Sequence, residues 1–453
     1  MKELLITSLL GIGVLAFDII KLRKAVLPLI IVGLLATIGF SLMDWGMNEN
    51  PFANNMLMMD NYALSFIILI SGIAIFWLLM TIEHFKNNTG RVDLYALVAF
   101  SLAGAMILSS YTNMVMLFLG IEILSIPMYV LAASDKRSML SNEAGFKYFF
   151  LGALASAILL FGIALVYGAT GSFDLASIGN TLSTNGAGTM FTAGLLMILV
   201  GFAFKVSIAP FQFWTPDVYQ GAPTAITALM ATIVKAAGFA ALFRLFGSAF
   251  SPAIDFTTNI IVVLAALTLV ASNSMAAIQT NTKRLLAYSS ISHAGFMFAA
   301  LIAINTISAS VLMYYILVYS IASLTSFMVL DQVAKIQNGA EGFDAFKGLA
   351  KRNPVMAGAM TLALFSMAGI PPLGGFMAKY FVISAMVDAG QIWLVIVMVL
   401  TSAIAVYYYL KIIIAMFTPI ENAGRIVVDR IQHILFIVFS IALVALFFLA
   451  ALV

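Results

Sequence analysis

The stretch from Leu195 to Phe204 reads LLMILVGFAF, and the charged residue Lys205 follows it directly. A second run, from Ile260 to Val270, also contains no charged residue. The strands of a membrane β-barrel would instead alternate apolar and polar residues in short segments. Only helices and closed barrels satisfy every backbone hydrogen-bonding group inside a bilayer. These runs therefore predict an all-α protein built from membrane-spanning helices.

The composition of the chain supports this class. Of the 453 residues 63% are hydrophobic and 9% charged, against about 25% charged residues in an average soluble protein. The mean hydropathy is +1.09. Because a helical span needs about 20 residues, roughly ten to fourteen spans would use nearly the whole chain. We therefore expect a polytopic membrane protein without a sizeable soluble domain.

Windows of apolar residues predict about 14 transmembrane helices. The seventh and twelfth contain residues that remove backbone hydrogen bonds or loosen a helix, so we expect both to be broken. Nonhelical backbone persists at membrane depth only where protein or a water-filled cavity satisfies it. The predicted breaks contain Pro210 and Pro216 in the seventh span and Gly369, Pro371, Pro372, Gly374 and Gly375 in the twelfth. The spans cover approximately residues 3–20, 25–45, 62–82, 92–110, 112–133, 143–168, 189–217, 224–247, 255–277, 285–304, 307–330, 354–387, 391–412 and 431–452.

The basic residues predict the orientation of these spans, because connections on the cytoplasmic side are rich in Lys and Arg. Most of the 22 basic residues fall in or beside alternate connections, which places both termini on the outer side. These residues are Lys21, Arg23, Lys24, Lys86, Arg91, Lys136, Arg137, Lys283, Arg284, Lys335, Lys347, Lys351, Arg352, Lys411, Arg425 and Arg430.

The order of the spans predicts an internal repeat. Spans four to eight and nine to thirteen form two blocks of five, and an odd-numbered block must be followed by a copy of opposite orientation. Each block has its broken helix in fourth place, as in transporters built from inverted repeats. We expect three N-terminal helices over residues 1–90, a first repeat over 91–248, a second over 249–415 and a last helix within 416–453.

Charged residues inside the predicted spans are the candidate functional residues. A lysine near the centre of a bilayer costs about 2.5–3.5 kcal/mol, so several of them suggest a function. Glu122 is the one acidic residue near the middle of a predicted span. A lysine removed from water holds its proton less firmly, and a nearby carboxylate strengthens that hold. We therefore predict proton transfer, in which Glu122 acts on Lys205 or Lys147 and Lys235 and Lys379 are relay sites.

Alternatives remain open for several of these residues. An ion pair of Glu122 with Lys205 or Lys147 could serve only helix packing, and Lys147 lies near enough to the span end to extend toward water. His293 is either a proton relay or a hydrogen-bonded core histidine. Lys411 is a further possible relay, although snorkelling to the cytoplasmic side is the better interpretation.

Several other chemistries are not supported by the sequence. The chain contains no cysteine, which excludes disulfides, thiolate-bound iron–sulfur clusters and c-type haem attachment. No glycine-rich nucleotide fingerprint follows a predicted strand. We predict no metal site and no nucleic-acid partner.

Four sequence motifs resemble the antiporter-like, proton-translocating membrane subunits of bacterial respiratory NADH-quinone oxidoreductase, complex I. The resemblance spans roughly residues 90 to 415. The TPDVYQGAP part of the first motif has the form of the subunit N group rather than of multisubunit sodium/proton antiporters. The motifs are FKVSIAPFQFWTPDVYQGAPT from Phe204, EILSIPMY from Glu122, KRLLAYSSISH from Lys283 and GIPPLGGFMAK from Gly369.

The resemblance implies a function and a set of partners. In that family a glutamate and four lysines form a central hydrophilic axis, which maps here onto Glu122, Lys147, Lys205, Lys235 and Lys379. Gln212 stands where the family often has a histidine, so that step would be carried by water or not be needed. No cofactor is expected in this chain; NADH, FMN, iron–sulfur clusters and quinone are expected in partner subunits.

The resemblance also implies a location and a coupling scheme. The location is the bacterial inner membrane, where the chain would contact lipid, protons and water and other membrane and peripheral subunits of complex I. Electron transfer in those subunits would drive proton movement here. Two rival functions remain: a cation/proton antiporter, stand-alone or of the Mrp type, and a non-conducting membrane scaffold.

Overall fold

The structure is a computed structural model that describes residues 1–47, 50–82, 92–304, 309–420 and 424–452. Its described residues are almost entirely helical, which confirms the predicted all-α fold class. One antiparallel hairpin, β1 (Asn50–Phe52) with β2 (Leu57–Met59), was not predicted. The basic residues Lys86 and Arg91 lie outside the described residues.

The helices follow the predicted order of spans. In chain order they are α1 Lys2–Ile19, α2 Val26–Met43, α3 Asn61–Met80, α4 Asp93–Ser110, α5 Met114–Ala132, α6 Met139–Thr170, α7 Leu175–Asn185, α8 Thr189–Val206, α9 Trp214–Gly221, α10 Thr224–Leu229, α11 Lys235–Gly247, α12 Ile254–Ala277, α13 Thr282–Ala299, α14 Ala309–Ile336, α15 Leu349–Arg352, α16 Pro354–Ala368, α17 Gly374–Asp388, α18 Ile392–Phe417 and α19 Arg430–Leu449. A π-helical turn, Met230–Val234, joins α10 to α11, and short 3-10 turns lie at Arg23–Ala25, Ser251–Ala253, Ala300–Ala303, Phe343–Phe346 and Ala450–Leu452.

Within the described residues, 12 continuous helical segments are long and apolar enough to cross a membrane. Two further predicted spans complete the fourteen. The first is α1, which has the length of a span but carries Lys2, Glu3 and Asp18. The other is the broken twelfth span, whose halves α16 and α17 are each 15 residues long. Each half is too short to cross a bilayer alone, since about 20 residues are needed.

The seventh span breaks after Val206, where Ser207 adopts a left-handed conformation with φ 68°. Pro210 lies in the nonhelical segment that follows, and the amide of Ala209 donates to the hydroxyl of Thr268 over 2.9 Å. The prediction was wrong for Pro216, which lies in the first turn of α9. Its missing N–H costs nothing there, because the first amides of a helix have no helical acceptor.

The twelfth span breaks as predicted between α16 and α17. Gly369 ends α16 with φ 85°, and Pro371 and Pro372 follow it. Gly374 is the first residue of α17. A Cβ atom on Gly375 would lie 1.7 Å from the carbonyl oxygen of Ser366, so the two half-helices can approach this closely only at a glycine.

The chain folds into two compact units that are interleaved in sequence. Unit 1 comprises Met1–Ser207 and Ile233–Ile260, and unit 2 comprises Ile208–Thr232 and Ile261–Val453. The chain thus passes from unit 1 to unit 2 at the break of the seventh span, returns to unit 1 in the π turn and passes to unit 2 again after Ile260. Compactness and internal repetition are different criteria, so the predicted repeats over 91–248 and 249–415 stay a prediction.

Candidate functional site

In unit 1, Glu122 lies in the middle of α5 and is half-buried. The hydroxyl of Ser156, on α6, donates a short hydrogen bond to its Oε1 atom. A charge-assisted hydrogen bond of this kind is stronger than one between neutral groups. The carboxylate predicted from the sequence is therefore held at membrane depth by a side chain of the neighbouring helix.

Lys205 lies in the last turn of α8 and is only 5% exposed. Its Nζ atom donates to the hydroxyl of Ser125 over 2.5 Å and lies 5.7 Å from the centre of the Tyr148 ring. Ser125 is three residues after Glu122 on α5, and residues at this spacing share a helix face. The lysine thus binds the turn of α5 that carries the carboxylate.

A small cavity lies between these groups. The volume open to the centre of a water molecule is about 10 Å³, which is room for about one water. Ser125, Tyr129, Ser156 and Lys205 supply polar atoms to its lining. A buried water needs two to four polar partners. The site can therefore hold a water that connects the lysine to the serine bound by Glu122.

Close helix packing brings these residues together. A Cβ atom on Gly162 of α6 would lie 2.7 Å from the carbonyl oxygen of Gly194 on α8, and one on Gly194 would lie 2.8 Å from that of Gly162. Small residues allow membrane helices to approach until their backbones touch. One to two turns farther along α8, Gly201 allows the same approach to Leu159. This packing of α6 against α8 places Lys205 beside Ser125 of α5.

The expected burial of Lys147 is not found. Its side chain is 37% exposed and forms an ion pair of 2.7 Å with Glu143, one turn earlier on α6. The next residue, Tyr148, is the one that points inward, under Lys205. Hydropathy gives the depth of a residue along a span but not the face on which it lies. Glu143 lies at the end of the predicted sixth span, and its ion pair with Lys147 was not predicted.

Lys235 is buried, with 2% of its surface exposed, as the first residue of α11. It directly follows the π-helical turn Met230–Val234. Such turns occur mostly as single insertions inside α-helices and are frequent at functional sites. Burial of this lysine matches the prediction from hydropathy.

In unit 2, Lys379 lies on α17 and is 7% exposed. Its ammonium donates to the carbonyl of Ala368 over 3.0 Å and to the hydroxyl of Ser402 over 3.3 Å. Ala368 is the last residue of α16, whose free carbonyls carry the negative end of the helix dipole. The break in the twelfth span therefore supplies the binding site of this lysine. The ring of Phe296, on α13, lies 5.1 Å from the ammonium.

His293 is also buried in unit 2, three residues before Phe296 on the same helix. Its Nδ1 atom and the hydroxyl of Tyr315 form a hydrogen bond of 2.9 Å, and the ring of Tyr319 lies 4.9 Å away. A cavity of about 10 Å³, again room for about one water, is lined by His293, both tyrosines and Ser366. The histidine is hydrogen-bonded and adjoins a cavity, so both interpretations from the sequence remain.

A polar network near His293 was missed by the sequence analysis. Its members carry no charge, and only Ser289 and Ser292 belong to one of the four motifs, so only the fold shows that they meet. The bonds are Ser289 with Tyr409 at 2.5 Å, Tyr408 to Asn273 at 3.1 Å and Asn273 to Ser292 at 2.8 Å.

Lys283 was predicted to lie in a cytoplasmic connection but is buried at the start of α13. Its ammonium donates to the carbonyl of Ala222 over 2.7 Å and lies 3.4 Å from the carboxylate of Glu341. Asn281 caps α13 and also donates to Glu341. The asparagine cap before an apolar run is the sequence signal that could have placed Lys283 inside a helix.

Lys411 and Gln212 have less specific environments. Lys411 is half-exposed and donates to the carbonyl of Ala277, the last residue of α12, over 2.5 Å. A cation at this position stabilises the end of a helix, which favours a structural role. The Oε1 atom of Gln212 is buried without a hydrogen-bond partner among the described residues, as expected of a group that binds water.

Pro210, Pro371, Pro372 and Gly374 lie at the breaks, as described above. Among the described residues, no group of three or more His, Cys, Asp or Glu side chains is placed to hold a metal ion. The groups available for chemistry are therefore amines, carboxylates, an imidazole, phenols and hydroxyls. All of these can hold or pass a proton.

Comparison with known proteins shows the family of this chain. Residues 110–405 match the family described as NADH:quinone oxidoreductase/Mrp antiporter, TM. The chain belongs to this family. A family member from Cytophaga hutchinsonii, NADH-quinone oxidoreductase subunit N, is 42% identical over 424 residues, which cover 93% of this chain and 91% of the relative.

Solved structures agree with the family assignment. A chain of respiratory complex I from Thermus thermophilus has 33% identity and a TM-score of 0.86, covering 99% of this chain and 98% of that chain. A chain of the Mrp complex from Dietzia sp. DQ12-45-1b has a TM-score of 0.86 with 20% identity over 99% of this chain and 94% of that chain. At that identity the second likeness shows a shared fold alone. The family resemblance predicted from the four motifs is confirmed.

Proposed function

We propose that this chain is a proton-translocating membrane subunit of a bacterial NADH:quinone oxidoreductase. The observation that carries the proposal is the buried ammonium of Lys205, held by Ser125 on the same turn of α5 as Glu122. The relatives named subunit N support it. NADH, FMN, iron–sulfur clusters and quinone would belong to partner subunits, and this chain would contribute no redox step.

In this proposal Glu122 and Lys205 form the switch. A carboxylate near an ammonium favours the protonated lysine, and removing it favours release of the proton. A small displacement of α5 against α6 and α8 would change the distance between the two groups. Ser125, Ser156 and a water in the small cavity would carry the proton over this distance. The displacement would be driven by quinone reduction in partner subunits.

The proton released by Lys205 would pass to Lys235, while His293 and Lys379 would relay protons within unit 2. Lys147 joins this series by resemblance. Lys283 joins it because it is buried, and Glu341 joins it as the carboxylate paired with Lys283. Each outward charge works against about 2.3 kcal/mol per 100 mV of membrane potential. That energy must come from the redox reaction. The proposal also places the chain in the inner membrane with both termini on the outer side, since the basic connections alternate.

Replacing Lys205 by Ala tests the proposal. In inverted membrane vesicles, we expect Lys205→Ala to lower NADH-driven proton uptake per NADH oxidised, while the complex still assembles and transfers electrons to quinone. Lys136→Ala is the matched control, because Lys136 is exposed in a connection. Normal uptake in Lys205→Ala would contradict the proposal. Cation-coupled proton movement in vesicles that lack the redox subunits would instead support the antiporter function.

A further inference from the structure

A second polar region of unit 1 lies along α11, beyond Lys235, and has no role in the switch. The side chain of Arg244 is 8% exposed, and its Nη1 and Nη2 atoms donate to the two carboxylate oxygens of Asp60 over 3.0 and 2.6 Å. Its Nε atom donates to the carbonyl of Ser109 over 3.0 Å. A paired arginine and aspartate this deep are retained where they serve registry or function, because burying them is costly.

Two tyrosines lie between Lys235 and this pair along the helix. Tyr62 and Tyr111 donate to the carbonyls of Ala240 and Ala241, each over 2.7 Å. The guanidinium of Arg244 lies 4.8 Å from the centre of the Tyr62 ring. At about 1.5 Å per residue, Lys235 and Arg244 are roughly 14 Å apart along α11, and the phenols lie at intermediate levels. A phenol oxygen that donates to a carbonyl can still accept a hydrogen bond from water.

A cavity of about 450 Å³ begins at Arg244. Asn55, Thr112, Asp174 and Ser248 also line it. These residues lie just before α3, between α4 and α5, before α7 and after α11, so all belong to connections that alternate with the basic ones. By the positive-inside rule this end of unit 1 is the outer one. The cavity can admit several waters from that side.

We propose that unit 1 releases protons to the outer face along α11, from Lys235 past Tyr62 and Tyr111 to Asp60 and into the cavity at Arg244. The inference rests on the proposed function and gives it an exit within this chain. A proton arriving by water binds a carboxylate oxygen of Asp60 and breaks its bond to Arg244. It then leaves to cavity water, and the carboxylate binds Arg244 again. Arg244 stays charged throughout and repels other cations.

The competing explanation is that these bonds only fix α11 to α3 and α4. Replacing Asp60 by Asn separates the two. Asp60 caps α3 by accepting from the amide of Ala63, and Asn caps a helix about as well as Asp. The amide oxygen can still accept from Nη2 of Arg244 and from Ala63, but the amide NH2 cannot accept from Nη1 and the side chain cannot take up a proton. The helix cap and one of the two bonds to Arg244 are therefore kept, and normal assembly with electron transfer shows that the structural role survives while the proton role is lost.

We expect Asp60→Asn to lower proton uptake per NADH oxidised as far as Lys205→Ala does, with assembly and electron transfer retained. Asp429→Asn is the matched control, because the side chain of Asp429 caps α19 as that of Asp60 caps α3, whereas Arg244 pairs with Asp60. Uptake in Asp60→Asn equal to that of the unmodified complex would overturn the inference. If Lys205→Ala lowers uptake in the same experiment, the proposed function would still stand.

A second measurement uses the absence of cysteine from the chain. Ser248→Cys places a thiol in the cavity wall, and Ser183→Cys places one on α7 outside it. Both serines are exposed and donate to the carbonyl four residues earlier. Cells are treated from outside with a membrane-impermeant, cationic methanethiosulfonate before the membranes are inverted. Reduced uptake in labelled Ser248→Cys alone supports the exit, and unchanged uptake in both labelled variants contradicts it.

Discussion

The two broken spans each provide a buried lysine, but the two ammonium groups are held differently. Lys205 donates to the hydroxyl of Ser125, a side chain of another helix. Lys379 donates to the carbonyl of Ala368, the last residue of the first half of its own broken span, and to the more distant hydroxyl of Ser402. An aromatic ring lies near each ammonium, at 5.7 and 5.1 Å. The difference lies in the oxygen that accepts the shorter hydrogen bond of each ammonium, a side-chain hydroxyl for Lys205 and a backbone carbonyl for Lys379.

This difference suggests a division of roles. The surroundings of Lys205 can change, because Ser125 moves with α5 and with Glu122. The carbonyl of Ala368 is fixed by α16, so Lys379 has a constant partner as long as the break keeps its shape. In the first site the protein can alter how firmly the lysine holds its proton, and in the second it provides a permanent acceptor dipole.

The largest effect is expected from Gly375→Ala, which moves the carbonyl of Ala368 away from Lys379. The new Cβ would lie 1.7 Å from the carbonyl oxygen of Ser366, so α17 must move away from α16 and Lys379 from Ala368. Overpacking costs about 1–3 kcal/mol where side chains can yield, and this backbone contact cannot. We expect most of the assembled complex to be lost, measured as its amount in membranes.

Gly358→Ala is the control for this substitution. Gly358 lies on α16 of the same span, and a Cβ there would meet no atom within 4 Å. Its variant should assemble normally. Normal assembly and proton uptake in Gly375→Ala would show that the geometry of the break does not determine the site of Lys379.

Removing the serine partners sharpens the comparison. A hydrogen bond to a charged group contributes about 1.5–3 kcal/mol, so Ser125→Ala should slow proton uptake roughly tenfold, since 1.4 kcal/mol is a factor of ten. Ser402→Ala should slow it less than about threefold, because Lys379 keeps its bond to Ala368. The measurement is the rate of NADH-driven proton uptake, compared with that of Lys205→Ala. Equal effects of the two substitutions would contradict the proposed division of roles.

The sequence identifies some of these features for clear physical reasons. Lys205, Lys235 and Lys379 are found because a charge inside an apolar run has few places to go except the protein interior. The twelfth break is found because two adjacent prolines among glycines cannot continue a helix. Pro216 was wrongly assigned to the seventh break, because proline also occurs in the first turn of helices.

The remaining features depend on contacts that one-dimensional patterns do not contain. Asp60 and Arg244 are 184 residues apart and meet only in the folded unit. Lys283 was assigned to a connection because the positive-inside rule counts charges near span ends whether or not they are buried. Serines such as Ser125 and Ser156 are frequent in membrane helices, and only their position beside a charge makes them part of a site.

The smallest effect is expected from Lys147→Ala. Lys147 and Glu143 form an exposed pair one turn apart on α6, and such pairs contribute about 0.3–0.5 kcal/mol. The substitution should therefore lower proton uptake far less than Lys205→Ala, with normal assembly. Glu143→Gln, which removes the same ion pair from the other side, should behave alike. A loss from Lys147→Ala as large as that from Lys205→Ala would contradict this expectation. Because this chain leaves the pair exposed, such a loss would mean that a neighbouring subunit covers Lys147 and completes a further lysine site.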